Sequence, residues 1–493
     1  MRRSGFPASE AGGGENGLSD NVTGGAENSG PLAIAAQRAA EYRARIATAA
    51  QTPVDSYADV LNRFAGPLPE HGGDSEAIIR ELIAGAEGGI RATTGSRFFG
   101  WVIGSSHPTG VAADWLTSAW GQNAANVLAA PAASAVEAVA CEWLLDLLGL
   151  PAEASVGVVS GATVANFVCL AAARSEVLRR VGWDVEGDGL FGAPSVRVLI
   201  GADAHATVFS GLKYLGLGAK RVRTVATDEL GRMLPADFEL ALGEATGPTI
   251  AIAQSGQICT GVSDPFLEIA PMAKAAGAWL HVDGAFGMWA NASPRLKHLT
   301  SGIAQADSWG TDGHKWLQTP YDCGFAIVRD AEAHRRAMAI SASYLPPASA
   351  TERDPSTYVP ELSRRARGFA VWAMFKQLGR SGVAAMVEQD VAVAQQMAAG
   401  MDAIDGCDLV CGAELNQFMV RFGGDCSPEE ADRLTLAAIE QVQQDAVAFI
   451  GASQWRGRWV MRISVCSIAT TPEDGAITVE AVRSAWEKVR ARG

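Results

Sequence analysis

The sequence predicts an α/β protein. It has a large domain with a mainly parallel sheet flanked by helices, a smaller α+β domain at the C-terminus and a helical arm at the N-terminus. Three observations carry this. Between residues 156 and 328, short apolar runs of strand length alternate with stretches of helical periodicity, as crossover-connected parallel strands require. After Arg364 the alternation gives way to long helices and then a mixed unit. Before residue 125 the readable segments are helical or broken by glycine. With 493 residues, 48% of them hydrophobic and 19% charged, the chain can bury the core of two or three domains.

Residues 1–30 are rich in Gly, Ser, Glu and Asn and are expected to be a disordered tail. Pro31–Ala50 and Asp74–Ala86 have helical spacing. Gly95–Gly110 places Phe98, Phe99 and Trp101 among glycines; it reads as arm packing, as the wall of a substrate pocket, or as both at a dimer interface. Ser134–Leu148 is helical. Strands are then expected at Val156–Val159, Val196–Gly201, Arg221–Ala226, Thr249–Gln254, Ala278–Val282, Ala306–Trp309 and Gly324–Val328. Helices fall between them at Ala165–Leu178, Val208–Leu215, Asp237–Leu242 and Pro265–Ala276. Two helices, about 361–379 and 383–404, lead to strand Phe418–Phe422, helix Pro428–Gln443, strand Trp459–Val465 and helix Val479–Arg492. The expected division is a tail (1–30), an arm with the pocket-wall segment (31–125), a large domain (126–370) and a small domain (371–493).

Composition narrows the function. A net charge of −14 argues against nucleic acid or an anionic membrane as partner. No apolar segment follows the MRRSG start and no run approaches about 20 apolar residues, so neither a signal peptide nor a membrane span is expected. The eight cysteines form no CxxC pair, which leaves reduced core cysteines in a cytoplasmic protein as the expectation. His281 and Asp283 lie on one face of a strand, but no third ligand stands at a metal-site spacing, and no metal is expected.

The chemistry gathers at strand ends, where crossover folds leave functional groups. The chain has seven lysines, and six sit among charged or helical-looking neighbours. Lys315, in ADSWGTDGHKWL, lies between His314 and Trp316 beside an apolar strand. A desolvated lysine there is a nucleophile for Schiff-base chemistry, while a plain loop lysine is the other reading. Ser160-Gly161-Ala162-Thr163 sits where a strand feeds a helix, and its backbone N–H groups can approach a phosphate. Asp283 ends an apolar strand, as a cap for the glycine-rich turn or as partner of a heterocyclic N–H⁺, with Ala285 small enough for a flat ring. His205 follows a strand, as a cap or as an imidazole stacked on a planar ligand. Together these parts can hold pyridoxal phosphate, whose protonated ring serves as an electron sink.

HVDGAFG, then SWGTDGHKWL, then a DCG-containing strand resembles the group II pyridoxal-phosphate-dependent amino-acid decarboxylases, which include the aromatic-L-amino-acid and glutamate decarboxylases. The likeness runs from about Arg97 to the C-terminus. It implies a fold type I enzyme and a homodimer with active sites at the interface. It implies decarboxylation of an L-α-amino acid to amine and CO₂ through a Lys315 aldimine and a quinonoid intermediate. By the same resemblance His314, Ala162 and Thr163 contact the phosphate, His205 stacks on the ring and meets substrate, Asp283 pairs with the pyridine nitrogen, Ala285 lies against the ring, and Thr260 lies near the cofactor. Tyr344 matches the mobile-loop tyrosine that protonates the carbanion, and Arg462 meets a carboxylate. Phe98, Phe99 and Trp101 favour an apolar or aromatic substrate. Aldehyde synthesis, transamination and carbon–carbon lysis are the alternatives on the same cofactor. The family's aromatic decarboxylases carry Asn-Pro before His-Lys, where this chain has Asp312-Gly313.

Overall fold

Runs such as Thr249–Gln254 and Gly324–Val328 are buried along their whole length, and a strand of this kind is stable only with helices covering both faces of its sheet. The computed structural model describes residues 30–340 and 352–492. These fall into two units, one of residues 30–45 and 53–90, the other of residues 46–52 and 91–492.

The first unit is three helices: α1 (Gly30–Arg45), α2 (Tyr57–Phe64) and α3 (Ser75–Ala86). A capping box starts α2, with Ser56 Oγ accepting from the Asp59 N–H and Asp59 accepting from the Ser56 N–H. Asp74 caps α3 by accepting from the Ala77 N–H.

The second unit opens with α4 (Pro108–Trp120) and α5 (Pro131–Leu147). The alternating region follows as β1 (Ser155–Val159), α6 (Ala162–Arg179), α7 (Val185–Asp188), β2 (Arg197–Gly201), α8 (Ala206–Tyr214), β3 (Arg223–Val225), α9 (Pro235–Glu244), β4 (Thr249–Gln254), α10 (Phe266–Ala275), β5 (Trp279–Asp283), β6 (Ser308–Asp312), β7 (Gly324–Val328) and α11 (Ala331–Met338). Its seven strands run in the order β1-β7-β6-β5-β4-β2-β3. The contiguous run β6-β5-β4-β2-β3 is parallel, while β7 is antiparallel to both β1 and β6. The last part holds α12 (Gly368–Asp402), β8 (Cys407–Cys411), β9 (Gln417–Phe422), α13 (Pro428–Asp445), β10 (Gly451–Trp455), β11 (Arg458–Ser464) and α14 (Pro472–Arg490), with an antiparallel sheet β10-β11-β9-β8. No described helix is long and apolar enough to cross a membrane.

Several boundaries differ from the sequence reading for local reasons. The strand expected at Ala306–Trp309 lies at Ser308–Asp312, because β7 supplies a partner to each of these residues. The expected helices 361–379 and 383–404 are one span from Gly368, broken at Gly379, whose φ of 60° and ψ of −179° interrupt the helix. Helix α14 starts at Pro472 instead of Val479, set by a Thr471–Asp474 capping box. Helix α4 begins inside the segment read as glycine-broken, with His107 as its cap.

A buried charge cluster ties β1 to its surroundings. Glu137 on α5 pairs with Arg364 at 2.8 Å and with Arg353 at 3.1 Å, and the Arg364 side chain is fully covered. Both arginines also donate to carbonyls of β1, at Val156 and Val158. Removing one member leaves an uncompensated buried charge. Glu137→Gln is therefore expected to cost about 3–5 kcal/mol, read from the urea midpoint. A loss below about 1 kcal/mol, as for an exposed pair, would contradict the role assigned to this cluster.

Candidate active site

Strands β1, β5 and β6 end together, and their following turns enclose a cavity of about 550 Å³. Its wall includes Ser160, Gly161, Ala162 and Thr163 after β1, and His205 and Thr207 at the start of α8. Gln254 ends β4, Asp283 ends β5 with Ala285 and Phe286 after it, and Asp312 ends β6 with His314 and Lys315 after it. Trp101, Val102, Ile103, Val164, Gly256, Ile258, Tyr321 and Arg462 also line it. The structure thus brings together residues that are separated by more than half the chain.

Asp283 is buried at the end of β5 and accepts a long bond, 3.3 Å, from the Ala285 N–H. Burial pushes its carboxyl above the ordinary value, against the pull of His205 and Lys315. Such a group is suited to a cationic partner within the cavity. His205 caps α8 by accepting from the Thr207 N–H, and its Nδ1 lies 2.7 Å from Thr207 Oγ1. Its ring has an exposed face, yet the concave wall removes enough water to hold the imidazole below its usual range. Asp283 opposes that shift, and Lys315 and Arg462 add to it.

Lys315 Nζ lies 2.9 Å from Asp312 Oδ2 and 5.8 Å from the Phe286 ring centre. The sequence reading placed this lysine in apolar surroundings; the structure adds a carboxylate partner. His314 is buried, packs against the tilted Tyr321 ring at 4.3 Å between ring centres and accepts from the Cys323 N–H at Nδ1. Burial holds its imidazole below the ordinary value, so it is neutral near pH 7. Gly161 permits this packing: a Cβ there would stand 3.1 Å from His314 Cε1 and 3.2 Å from Asp312 Oδ1.

Some expected site residues lie elsewhere. Phe98 stacks on Phe449 at 4.9 Å, and Phe99 is fully buried among the apolar side chains of the second sheet and its helices. Backbone bonds from Phe99 N–H to Phe449 and from Ser464 N–H to Phe99 hold that segment beside β11. Of the three aromatics, Trp101 alone lines the cavity, with a positive φ of 51°. Thr260 is buried off the cavity and donates to the Leu230 carbonyl at 2.7 Å. His281 uses both ring nitrogens inside the core, toward Ser308 Oγ and Asn166 Oδ1, which leaves neither for a metal. Tyr344 lies outside the described residues. The sequence reading missed Phe286 and Tyr321 as cavity residues, although Phe286 directly follows Ala285 and Tyr321 precedes the DCG strand.

The residues present fit pyridoxal phosphate. The turn at residues 160–163 opens α6 at the cavity, where a helix N-terminus favours a phosphate; the buried Asp283 carboxyl would suit a protonated ring nitrogen, and Lys315 would supply an amine. The geometry thus defines a pyridoxal-phosphate enzyme. Residues 61–422 match the pyridoxal-dependent decarboxylase conserved domain, and the chain belongs to that family. It is a pyridoxal-phosphate-dependent amino-acid decarboxylase. It is 25% identical to an aromatic-L-amino-acid decarboxylase of Bacillus atrophaeus over 87% of this chain and 90% of that one. It is 26% identical to a 4-hydroxyphenylacetaldehyde synthase of Rhodiola rosea, over 83% and 85% respectively. The crystal structure of Oryza sativa TDC with PLP and tryptamine superposes with a TM-score of 0.85 at 22% identity, covering 96% of this chain and 99% of that one.

Behind Lys315, the Trp316 indole N–H donates to Asp390 Oδ2 at 2.6 Å. Burial pushes the Asp390 carboxyl up to about 8, against that bond and one from Ser467. An unfolded Asp ionises near about 3.9. Between about pH 4 and 8 the folded state keeps a proton that the unfolded state has released. Stability therefore falls with rising pH by about 1.4 kcal/mol per unit across that window, and this contribution is level above it. Asp390→Asn should gain on the parent steadily across the window; a difference independent of pH would contradict this account.

Proposed function

We propose that the chain is a homodimeric decarboxylase of an L-α-amino acid with an apolar or aromatic side chain, acting in the cytoplasm. The observation that carries the catalytic reading is the convergence of Lys315, Asp283, His205 and the start of α6 on one cavity. Bound there, pyridoxal phosphate supplies an aldehyde and a protonated ring that accepts the electron pair left when CO₂ departs.

The protein's part is to place groups. Lys315 Nζ would hold the aldehyde carbon of the bound cofactor. Asp283 would hold the pyridine nitrogen in its protonated form, a cation that would offset the cost of burying the carboxylate. Ala285 is small enough to leave room for a flat ring, and His205 would stack on it. The N–H groups at Ala162 and Thr163, with His314, meet the phosphate. Arg462, which donates to the Ile258 carbonyl and lines the same cavity, meets the substrate carboxylate.

Trp101, Val102, Ile103 and Phe286 give that wall an apolar character, which supports an apolar or aromatic side chain. The aromatic-L-amino-acid decarboxylase relative points the same way. Exposed Trp115, Trp120, Trp143 and Trp372 support a second copy as partner, since large exposed apolar side chains mark interaction surfaces. Sedimentation should show a two-chain species; a single chain would remove the dimer from this reading.

Incubation with a panel of amino acids, with CO₂ and amine measured, should give amine from an aromatic or large apolar substrate. Amine from none of the panel would overturn the reading. Tyr344, by the family resemblance, returns the proton to Cα. Tyr344→Phe is expected to slow amine formation by about 10²–10⁴-fold. Undiminished amine formation would remove Tyr344 from the mechanism. An aldehyde as the parent's main product, as the name of the Rhodiola rosea relative describes, would replace simple decarboxylation by the synthase reaction.

A further inference from the structure

The turn that carries Lys315 also carries a carboxylate whose bonds go to the cofactor's own anchors. Asp312 ends β6 with its side chain almost fully covered. One oxygen, Oδ1, accepts from the Ala162 N–H at 2.5 Å, the first residue of α6. The other, Oδ2, lies 2.9 Å from Lys315 Nζ. His314 Nε2 is 3.6 Å from Oδ1, and Asp283 and His205 line the same cavity.

A helix N-terminal N–H attracts carboxylate and phosphate for the same reason, the positive end of the helix together with an unpaired donor. Two anions cannot share that one donor inside a wall with little water without strong repulsion. The ion pair at Lys315 likewise engages the amine that must become a nucleophile. We propose that Asp312 is an internal competitor for the cofactor's anchoring groups. It satisfies Ala162 and Lys315 when they are not holding cofactor, and it keeps pyridoxal phosphate affinity below what the remaining donors would give. This rests on the phosphate lying at α6 and the aldehyde at Lys315, as proposed above.

The role predicts two opposite effects of one substitution. Asp312→Asn keeps an acceptor for the Ala162 N–H and removes the charge. In full-length protein stripped of cofactor, the variant should melt at a lower temperature than the parent. Its equilibrium affinity for pyridoxal phosphate should rise at least about tenfold. Its affinity for unphosphorylated pyridoxal should rise less, because no second anion is then involved. A strut that merely positions Lys315 would lower melting temperature and affinity together, and that result would overturn the proposal. Equal gains for both ligands would also overturn it. Should Asp312→Asn fail to fold, Asp312→Ser carries the same comparison, being uncharged and still able to cap a helix. Pyridoxal phosphate that does not attach at Lys315 in the parent would overturn the site assignment and this proposal with it. Attachment in both proteins with unchanged affinity would overturn this proposal alone.

Discussion

The structure depends on keeping charged groups out of water at the carboxyl ends of β5 and β6. Asp283, Asp312 and Lys315 share one small cavity, and burying them is costly unless each has a partner. The parallel strands make this possible, because each crossover between them returns the chain so that their ends open on the same side. Helices on both faces then shield the strands, while the turns beyond them supply backbone N–H groups. The paired state of Asp312 and the raised pKa of Asp283 are two outcomes of that one environment.

Parts remote in sequence fix the lysine turn. Gly104 has a φ of 67°, and a Cβ there would stand 2.4 Å from the His314 carbonyl oxygen and 2.6 Å from Lys315 Cα. Only glycine allows the 101–105 segment to lie directly on that backbone. The Tyr321 hydroxyl donates to the Ile103 carbonyl from the far side of the turn. On its inner side, Trp316 is held by Asp390. The turn that carries Lys315 is therefore held from several sides, as a site built on a rigid element is.

Much of this was legible in the sequence where the signal is local. Thr249–Gln254 and Gly324–Val328 are uninterrupted apolar runs bounded by polar residues or glycine, and both strands occur with those bounds. Lys315, Asp283 and the SGAT turn could be picked out because each stands at the end of such a run. Strands β8 and β10 were not legible: both carry partly exposed residues and few strongly apolar ones. Which aromatics face the cavity was equally hidden. Phe98 stacks on Phe449 and Phe99 is tied by backbone bonds to Phe449 and Ser464, near the other end of the chain, whereas Trp101 meets the same Phe449 ring and still lines the cavity. Asp312 was visible as a residue, but its bond to Ala162 depends on β1 and β6 each flanking β7.

The most direct test of the account is chemical. Borohydride reduction of the pyridoxal-phosphate-loaded protein fixes the cofactor to whichever amine holds it, and peptide mapping by mass spectrometry then locates the label. The expected result is a single pyridoxyl-modified residue, Lys315. Label on another of the seven lysines, with Lys315 unmodified, would contradict it.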